Sequence, residues 1–108
     1  MTEIVNVKEM AAYQKGAIVS KTLVEKEAGT VTFFAFDQGQ SLSEHTAPFD
    51  ALVQVIDGRA EIRIAGEPYP VKEGELLIMP ANKSHALKAL TPFKMLLTMI
   101  RAADVRKK

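Results

Sequence analysis

Residues 51–64 read ALVQVIDGRAEIRI, and this stretch decides the fold class of the chain. The apolar run from Ala51 to Ile56 is followed by Asp57-Gly58, a dipeptide that favours a tight hairpin turn. Residues 60–64 then alternate between apolar and polar side chains, so the apolar ones share one face of a strand. The stretch therefore predicts two antiparallel strands joined by a short turn.

The same pattern continues on both sides of this hairpin. Val31 to Phe36 is aromatic and β-branched and ends at the turn-prone Asp37-Gln38-Gly39. Four further strands are predicted, at 69–71, 75–79, 85–90 and 94–100. Turn residues recur every eight to ten positions, which is typical of a β-sandwich or barrel. We predict an all-β, antiparallel sandwich or barrel of six to eight strands.

The sequence predicts less regular structure at the two ends of the chain than in its middle. Residues 7–13 are the one short segment with a helical pattern. We expect residues 1–30 to add this helical turn and some outer strands to the same domain. Residues 31–100 are predicted to form the barrel and residues 101–108 a basic tail.

Composition excludes several classes of function. The 108 residues suit one domain, and 47% of them are hydrophobic, as in ordinary globular proteins. A net charge of +1 argues against a nucleic-acid partner, and no apolar run is long enough to span a membrane. The N-terminus shows no secretory signal, so we expect a cytoplasmic protein. The absence of Cys excludes thiol chemistry, and the only two histidines are His45 and His85.

Both histidines follow polar stretches that lead into predicted strands. Residues 39–44 precede His45, and residues 80–84 precede His85, forty residues further on. Within the second stretch, Asn82 is expected to take the left-handed conformation that glycine usually supplies in a tight loop. In an antiparallel barrel, two histidines at the starts of strands are expected to face each other across the interior.

Spacings around the histidines resemble the two motifs of the cupin family. Five residues separate Gly39 from His45, and Gly58 is the last glycine of this first motif. Five residues also separate Gly74 from Pro80, ahead of His85. Over roughly residues 33–100 the chain is similar to small single-domain cupins of the RmlC-like, conserved-barrel type. The resemblance implies a double-stranded β-helix, that is, a jelly-roll barrel.

The resemblance implies only half of a metal site. The family typically holds its metal with three His and one Glu. His45 and His85 match two of these positions, whereas Ala47 and Ala51 occupy the other two. Asp50, Glu44 and Gln40 are nearby oxygen donors, and Met79, Met95 and Met99 are thioether donors that, with two His, would suit copper.

Two functions remain open at this point. The first is binding of a small, partly apolar molecule inside the barrel, in a pocket that Ala47 and Ala51 make roomier and less polar. Its polar groups would be His45 and His85, with walls from Phe33, Phe49, Val53, Met79, Leu87 and Met95.

The alternative is a metal-dependent enzyme of the dioxygenase, isomerase or decarboxylase type. Here His45 and His85 would bind a divalent ion (Fe, Ni, Zn, Mn or Cu) that acts as a Lewis acid or oxygen activator. A third hypothesis is metal-free acid–base catalysis with His85 as the base. The sequence does not decide whether the protein is an enzyme.

Apolar residues in the predicted outer strands indicate self-association. A small barrel has to protect the edges of its sheets, and small cupins commonly form dimers through an outer sheet face. Ile18-Val19 and Leu23-Val24 are apolar pairs outside the motif region. We therefore expect a homodimer that uses these residues.

Overall fold

The computed structural model describes residues 3–102, which form a short 3₁₀ turn and nine β-strands. The turn covers Val7–Glu9, so the predicted helical segment over 7–13 is reduced to three residues. The strands are β1 (Ile18–Lys26), β2 (Gly29–Phe36), β3 (Ser41–His45), β4 (Phe49–Asp57), β5 (Arg59–Ile64), β6 (Glu67–Lys72), β7 (Leu76–Met79), β8 (His85–Ala89) and β9 (Phe93–Arg101). Within residues 3–102 the fold has no helix able to cross a bilayer.

The all-β prediction is confirmed, but six to eight strands was too few. The sequence interpretation treated residues 40–44 as a loop because they are polar and poorly periodic. They include most of β3, an edge strand with one intermediate and four exposed side chains. Such a strand needs few apolar residues, so periodicity does not reveal it.

Two antiparallel sheets form the barrel. One has five strands in the order β1-β2-β9-β4-β7, and the other has four in the order β3-β8-β5-β6. Their facing side chains make the core, in which Phe36, Val53, Ile62 and Phe93 are fully buried. Since the chain changes sheets between β3 and β4 and again between β4 and β5, its strands interleave as in a jelly roll.

The N-terminal segment contacts the outer face of the five-stranded sheet. Lys94 of β9 lies on that face and is 9% exposed, and its Nζ donates a hydrogen bond of 2.6 Å to the Lys8 carbonyl. The same ammonium lies 4.9 Å from the ring centroid of Tyr13. The Tyr13 hydroxyl donates to the Asp57 carboxylate, and burial together with this hydrogen bond raises the pKa of Tyr13. These contacts hold residues 8–13 against the barrel.

Two turns depend on residues that accept a positive φ. Asn82 has φ 64°, as predicted for the loop between β7 and β8, and its amide donates to the Ala47 carbonyl at 2.9 Å. Gly58, in the β4–β5 hairpin, has φ 76°, and a Cβ there would collide with the Pro92 carbonyl. Only glycine fits at this turn, which explains the Asp57-Gly58 signal in the sequence.

Candidate functional site

The two histidines are direct cross-strand neighbours. His45 is the last residue of β3 and His85 the first of β8, and the two are paired in register. Their ring centroids are 4.3 Å apart with an angle of 67° between the planes, an edge-to-face arrangement. The expectation that they face each other across the interior was wrong. Because β3 pairs with β8, both imidazoles belong to one edge of the four-stranded sheet.

Backbone hydrogen bonds set the orientation of both rings. The Nδ1 atom of His45 lies 2.9 Å from the Ser43 carbonyl oxygen, and Nδ1 of His85 lies 3.2 Å from the Lys83 carbonyl oxygen. A carbonyl oxygen can only accept, so each Nδ1 carries the hydrogen and donates it. In the neutral imidazole, each Nε2 is left with a free lone pair.

Protonation of His85 is disfavoured by its surroundings. Burial lowers the pKa of His85 below its ordinary value, and the neighbouring His45 lowers it further, against an opposing effect of the Lys83 carbonyl. Two imidazolium rings with centroids only 4.3 Å apart would also repel each other. His85 is therefore neutral at pH 7, with its Nε2 available as an acceptor.

The imidazoles lie on a cavity between the two sheets. The four-stranded sheet and the loop after β3 contribute Leu42, His45, Ala47, His85, Ala86 and Leu87. The five-stranded sheet contributes Phe49, Ala51, Met79, Met95, Leu97 and Met99. As far as residues 3–102 form it, the lining thus contains no Asp, Glu, Lys or Arg, and the two imidazoles are its only polar side chains.

Most of the predicted pocket residues line this cavity. His45, His85, Phe49, Met79, Leu87 and Met95 all do. Phe33 does not: it pairs with Leu96 and shares the opposite face of the sheet with Ala35, because successive side chains of a strand alternate. Val53 faces the interior but is fully buried in the core and is absent from the cavity wall.

Sequence reasoning left Leu97 out of the pocket and considered Met99 only as a thioether donor, although a periodic signal could have placed both on the cavity wall. Leu97 and Met99 follow Met95 at intervals of two on β9, so they lie on the same face. Leu42 was missed because its strand, β3, was not predicted. The methionines considered as thioether donors, Met79, Met95 and Met99, all reach the cavity.

The cavity is apolar, as expected, but it is not roomy. It encloses about 60 Å³, and about 500 Å³ when the open mouth and crevices are included. Ala51 is paired with Met79 on one side and with Met99 on the other. Directly opposed residues have Cβ atoms about 5 Å apart, so both long side chains can narrow the space beside Ala51 without closing it.

The residues in and around this cavity do not fit the metal that the cupin family typically holds. Among residues 3–102, His, Cys, Asp and Glu form no group of three or more able to hold a metal ion. Asp50 faces away from the cavity and accepts a hydrogen bond of 2.9 Å from the Ala81 amide. Glu44 and Gln40 are also absent from the cavity lining. Two imidazoles alone fall short of the three or four protein ligands that zinc and iron sites use.

Comparison with known proteins establishes the family. Residues 32–100 match the sequence profile described as the cupin domain. A conserved protein of unknown function from Streptococcus pyogenes is 35% identical, with a TM-score of 0.90 over 94% of this chain and 89% of that one. The chain belongs to the cupin family.

Two further relatives are longer than this chain. A cupin 2 conserved barrel domain protein from Leptotrichia buccalis is 46% identical with a TM-score of 0.87, over 90% of this chain and 47% of that one. A Streptomyces cyaneus protein named polyketide synthase CurC is 28% identical over 91 residues, which is 79% of this chain. The matched region spans 59% of that curated relative's length.

Proposed function

We propose that this cupin binds a small, partly apolar molecule in the cavity between its sheets. The observation that carries the proposal is the lining itself: ten apolar residues surround two adjacent imidazoles. Small-molecule sites commonly combine apolar walls with a few polar groups that set the ligand's orientation. The Nδ1 hydrogen bonds to Ser43 and Lys83 hold these rings in place before any ligand arrives.

The size of the cavity limits what enters it. Its enclosed 60 Å³ is well below the roughly 300–1,000 Å³ of sites for drug-sized molecules. A single ring or the end of a longer molecule is therefore the expected occupant, with the remainder in the mouth. Methionine side chains have three rotatable bonds, so Met79, Met95 and Met99 can adjust around it.

The metal-dependent enzyme receives less support. His45 and His85 would be its ligands, but Ala47 and Ala51 stand on the cavity wall where the resemblance places the other two. In the part of the chain that the structure describes, no carboxylate lines the cavity to take their place. The three thioethers are the only other side-chain donors to a metal that these described residues bring to the lining.

Methionine methyl groups provide a direct test of binding. Toluene, titrated into protein with ¹³C-labelled methionine methyls, should shift the signals of Met79, Met95 and Met99. Met10 lies outside the cavity lining and serves as the internal control. If toluene and larger apolar probes leave all three cavity methyls unchanged, or shift Met10 equally, the cavity is not a binding site.

We also propose that the partner of this chain is a second copy, seated on the outer face of the five-stranded sheet. One row of paired residues crosses all five strands and contains Ile78, Leu52, Thr98, Val31 and Val24. Several side chains of this face are exposed although apolar: Leu76 54%, Ile78 55% and Ile100 58%.

The area of this sheet face and the position of the N-terminal segment support a second copy of the chain as the partner. Five strands spaced about 4.8 Å apart and some eight residues long form a sheet of roughly 600 Å², part of which the N-terminal segment covers. The sheet and this segment together present a face of the same order as the about 800 Å² per partner of a stable interface. The N-terminal segment, which contacts the same face, adds the exposed side chains of Ile4 and Val5. Of the residues expected at the interface, Leu23 and Val24 are 39% and 43% exposed, whereas Ile18 packs against the core.

Light scattering tests the homodimer. The unmodified chain should have twice the mass of one chain, and Ile78→Lys should shift it to the monomer. Tyr69→Lys is the matched control, because Tyr69 is 43% exposed but lies on β6 of the other sheet. A monomeric mass for the unmodified chain would end this proposal.

A further inference from the structure

Both polar groups of the cavity are hydrogen-bond acceptors. The Nδ1 atoms of His45 and His85 already face backbone carbonyls, so a ring in its neutral form offers only the lone pair of Nε2. Within residues 3–102, no Ser, Thr, Asn, Gln, Lys or Arg side chain lines the cavity to act as a donor. A ligand that satisfies these groups must therefore bring the hydrogen itself.

The cavity is also unsuited to ions. Of the described residues 3–102, neither a cationic nor an anionic side chain lines the cavity to compensate a buried charge, and an unpaired charge is costly in apolar surroundings. A carboxylate would face the lone pairs of two imidazoles. Moreover, the closeness of the rings, with centroids 4.3 Å apart, opposes the double protonation that would attract an anion. The lowered pKa of His85 acts in the same direction.

The walls favour an aromatic ring over an aliphatic chain. Three methionine thioethers, from Met79, Met95 and Met99, surround the space together with the ring of Phe49. Thioether sulfur makes favourable contacts with aromatic edges, and aromatic pairs gain beyond the area that they bury. A flat ring also fits a narrow space between two sheets.

From these three observations we infer that the ligand is a phenol, or carries a phenolic ring, whose hydroxyl donates to Nε2 of His45 or His85 while the ring lies among the methionines. This inference rests on the proposed function and adds the chemical class of the ligand. A phenol has a pKa near that of tyrosine, about 10, so it enters uncharged at neutral pH and keeps its hydrogen.

Three probes of matched shape test the inference. Toluene, p-cresol and p-toluate share a methyl-substituted ring and differ in having no polar group, a hydroxyl donor or an anion. Titrations at pH 7.5, monitored by the methionine methyl signals, should show p-cresol binding about three- to tenfold more tightly than toluene, the range of one hydrogen bond. The p-toluate anion should bind more weakly than toluene.

Variants separate the hydrogen bond from the shape of the cavity. In the double variant His45→Phe/His85→Phe the rings remain aromatic but lose their acceptors, so the preference for p-cresol over toluene should disappear. Continued binding of toluene shows that the variant is folded and its cavity intact. Glu44→Gln, beside His45 but outside the lining, is the matched control and should keep the preference.

The possible results distinguish a failure of the phenol assignment from a failure of the proposed binding function. Equal affinity for toluene and p-cresol would overturn the phenol assignment and leave the apolar binding site standing. Tightest binding of p-toluate would overturn it in favour of an anion site. If neither toluene nor p-cresol shifts the cavity methyls, the proposed function fails and the inference with it. A preference for p-cresol that survives in the double variant would also refute the role of the imidazoles.

Discussion

Filling the cavity from Ala51 should stabilise the protein and abolish binding together. Ala51 is 4% exposed on β4, its side chain lines the cavity, and it is paired with Met79 and Met99. Ala51→Val adds two methyl groups at this point. Valine is also favoured in strands, so the backbone accepts the change.

Two independent calculations give a similar stabilisation for Ala51→Val. Filling an enclosed volume of 60 Å³ at about 24 cal/mol per Å³ gives about 1.4 kcal/mol. Burying two methyl groups at about 0.8 kcal/mol each gives about 1.6 kcal/mol. Both are upper values, because the mouth of the cavity is open to water. At about 4–8 °C per kcal/mol for a domain of this size, Tm should rise by up to roughly 10 °C.

Calorimetry at fixed protein concentration measures the change in stability, and titration with toluene measures the loss of binding. Ala35→Val is the matched control: Ala35 is fully buried on β2 but faces away from the cavity. Added methyls without adjacent space should lower stability by about 1–3 kcal/mol. If Ala51→Val lowers Tm as the control does and still binds toluene, the account of this cavity as the ligand site is wrong.

Three further outcomes are expected. Because burial lowers the pKa of His85, its contribution to the free energy of unfolding is complete above about pH 6.5 and is lost as pH falls, so urea denaturation should show an acid decline that His85→Phe reduces. The pKa of Tyr13 is raised, so its contribution is present below about pH 10 and lost above it; Tyr13→Phe should cost about 1 kcal/mol at pH 7 and flatten the alkaline decline. Asn82, at φ 64°, should accept Gly with little change, whereas Asn82→Val should cost about 1–2 kcal/mol in thermal unfolding.

The strands that hold the core could be predicted because their signals are local. Residues 51–64 contain a buried run, a turn dipeptide and an alternating strand, and the structure has β4, a hairpin and β5 there. The positive φ of Asn82 was also expected from residue type and position. In each case a few neighbouring residues determine the backbone, so the sequence pattern is sufficient.

The arrangement of the site could be predicted only in part. Both histidines were identified, but β3 was missed, and with it the pairing that brings the two rings to 4.3 Å. Phe33 was placed on the wrong side because a shift of one residue along a strand exchanges its two faces. The size of the enclosed space could not be predicted, because the reach of Met79 and Met99 toward Ala51 depends on which strands flank β4.

The sequence by itself determined the fold class, the family and the identity of the two imidazoles, since turn residues, alternation and motif spacing are properties of short segments. Only the tertiary structure decided what the imidazoles offer. The carbonyls of Ser43 and Lys83 hold their Nδ1 hydrogens, and three methionines on β7 and β9 close around the space beside them. These features depend on the register between strands from distant parts of the chain, and register is set by packing of the whole barrel.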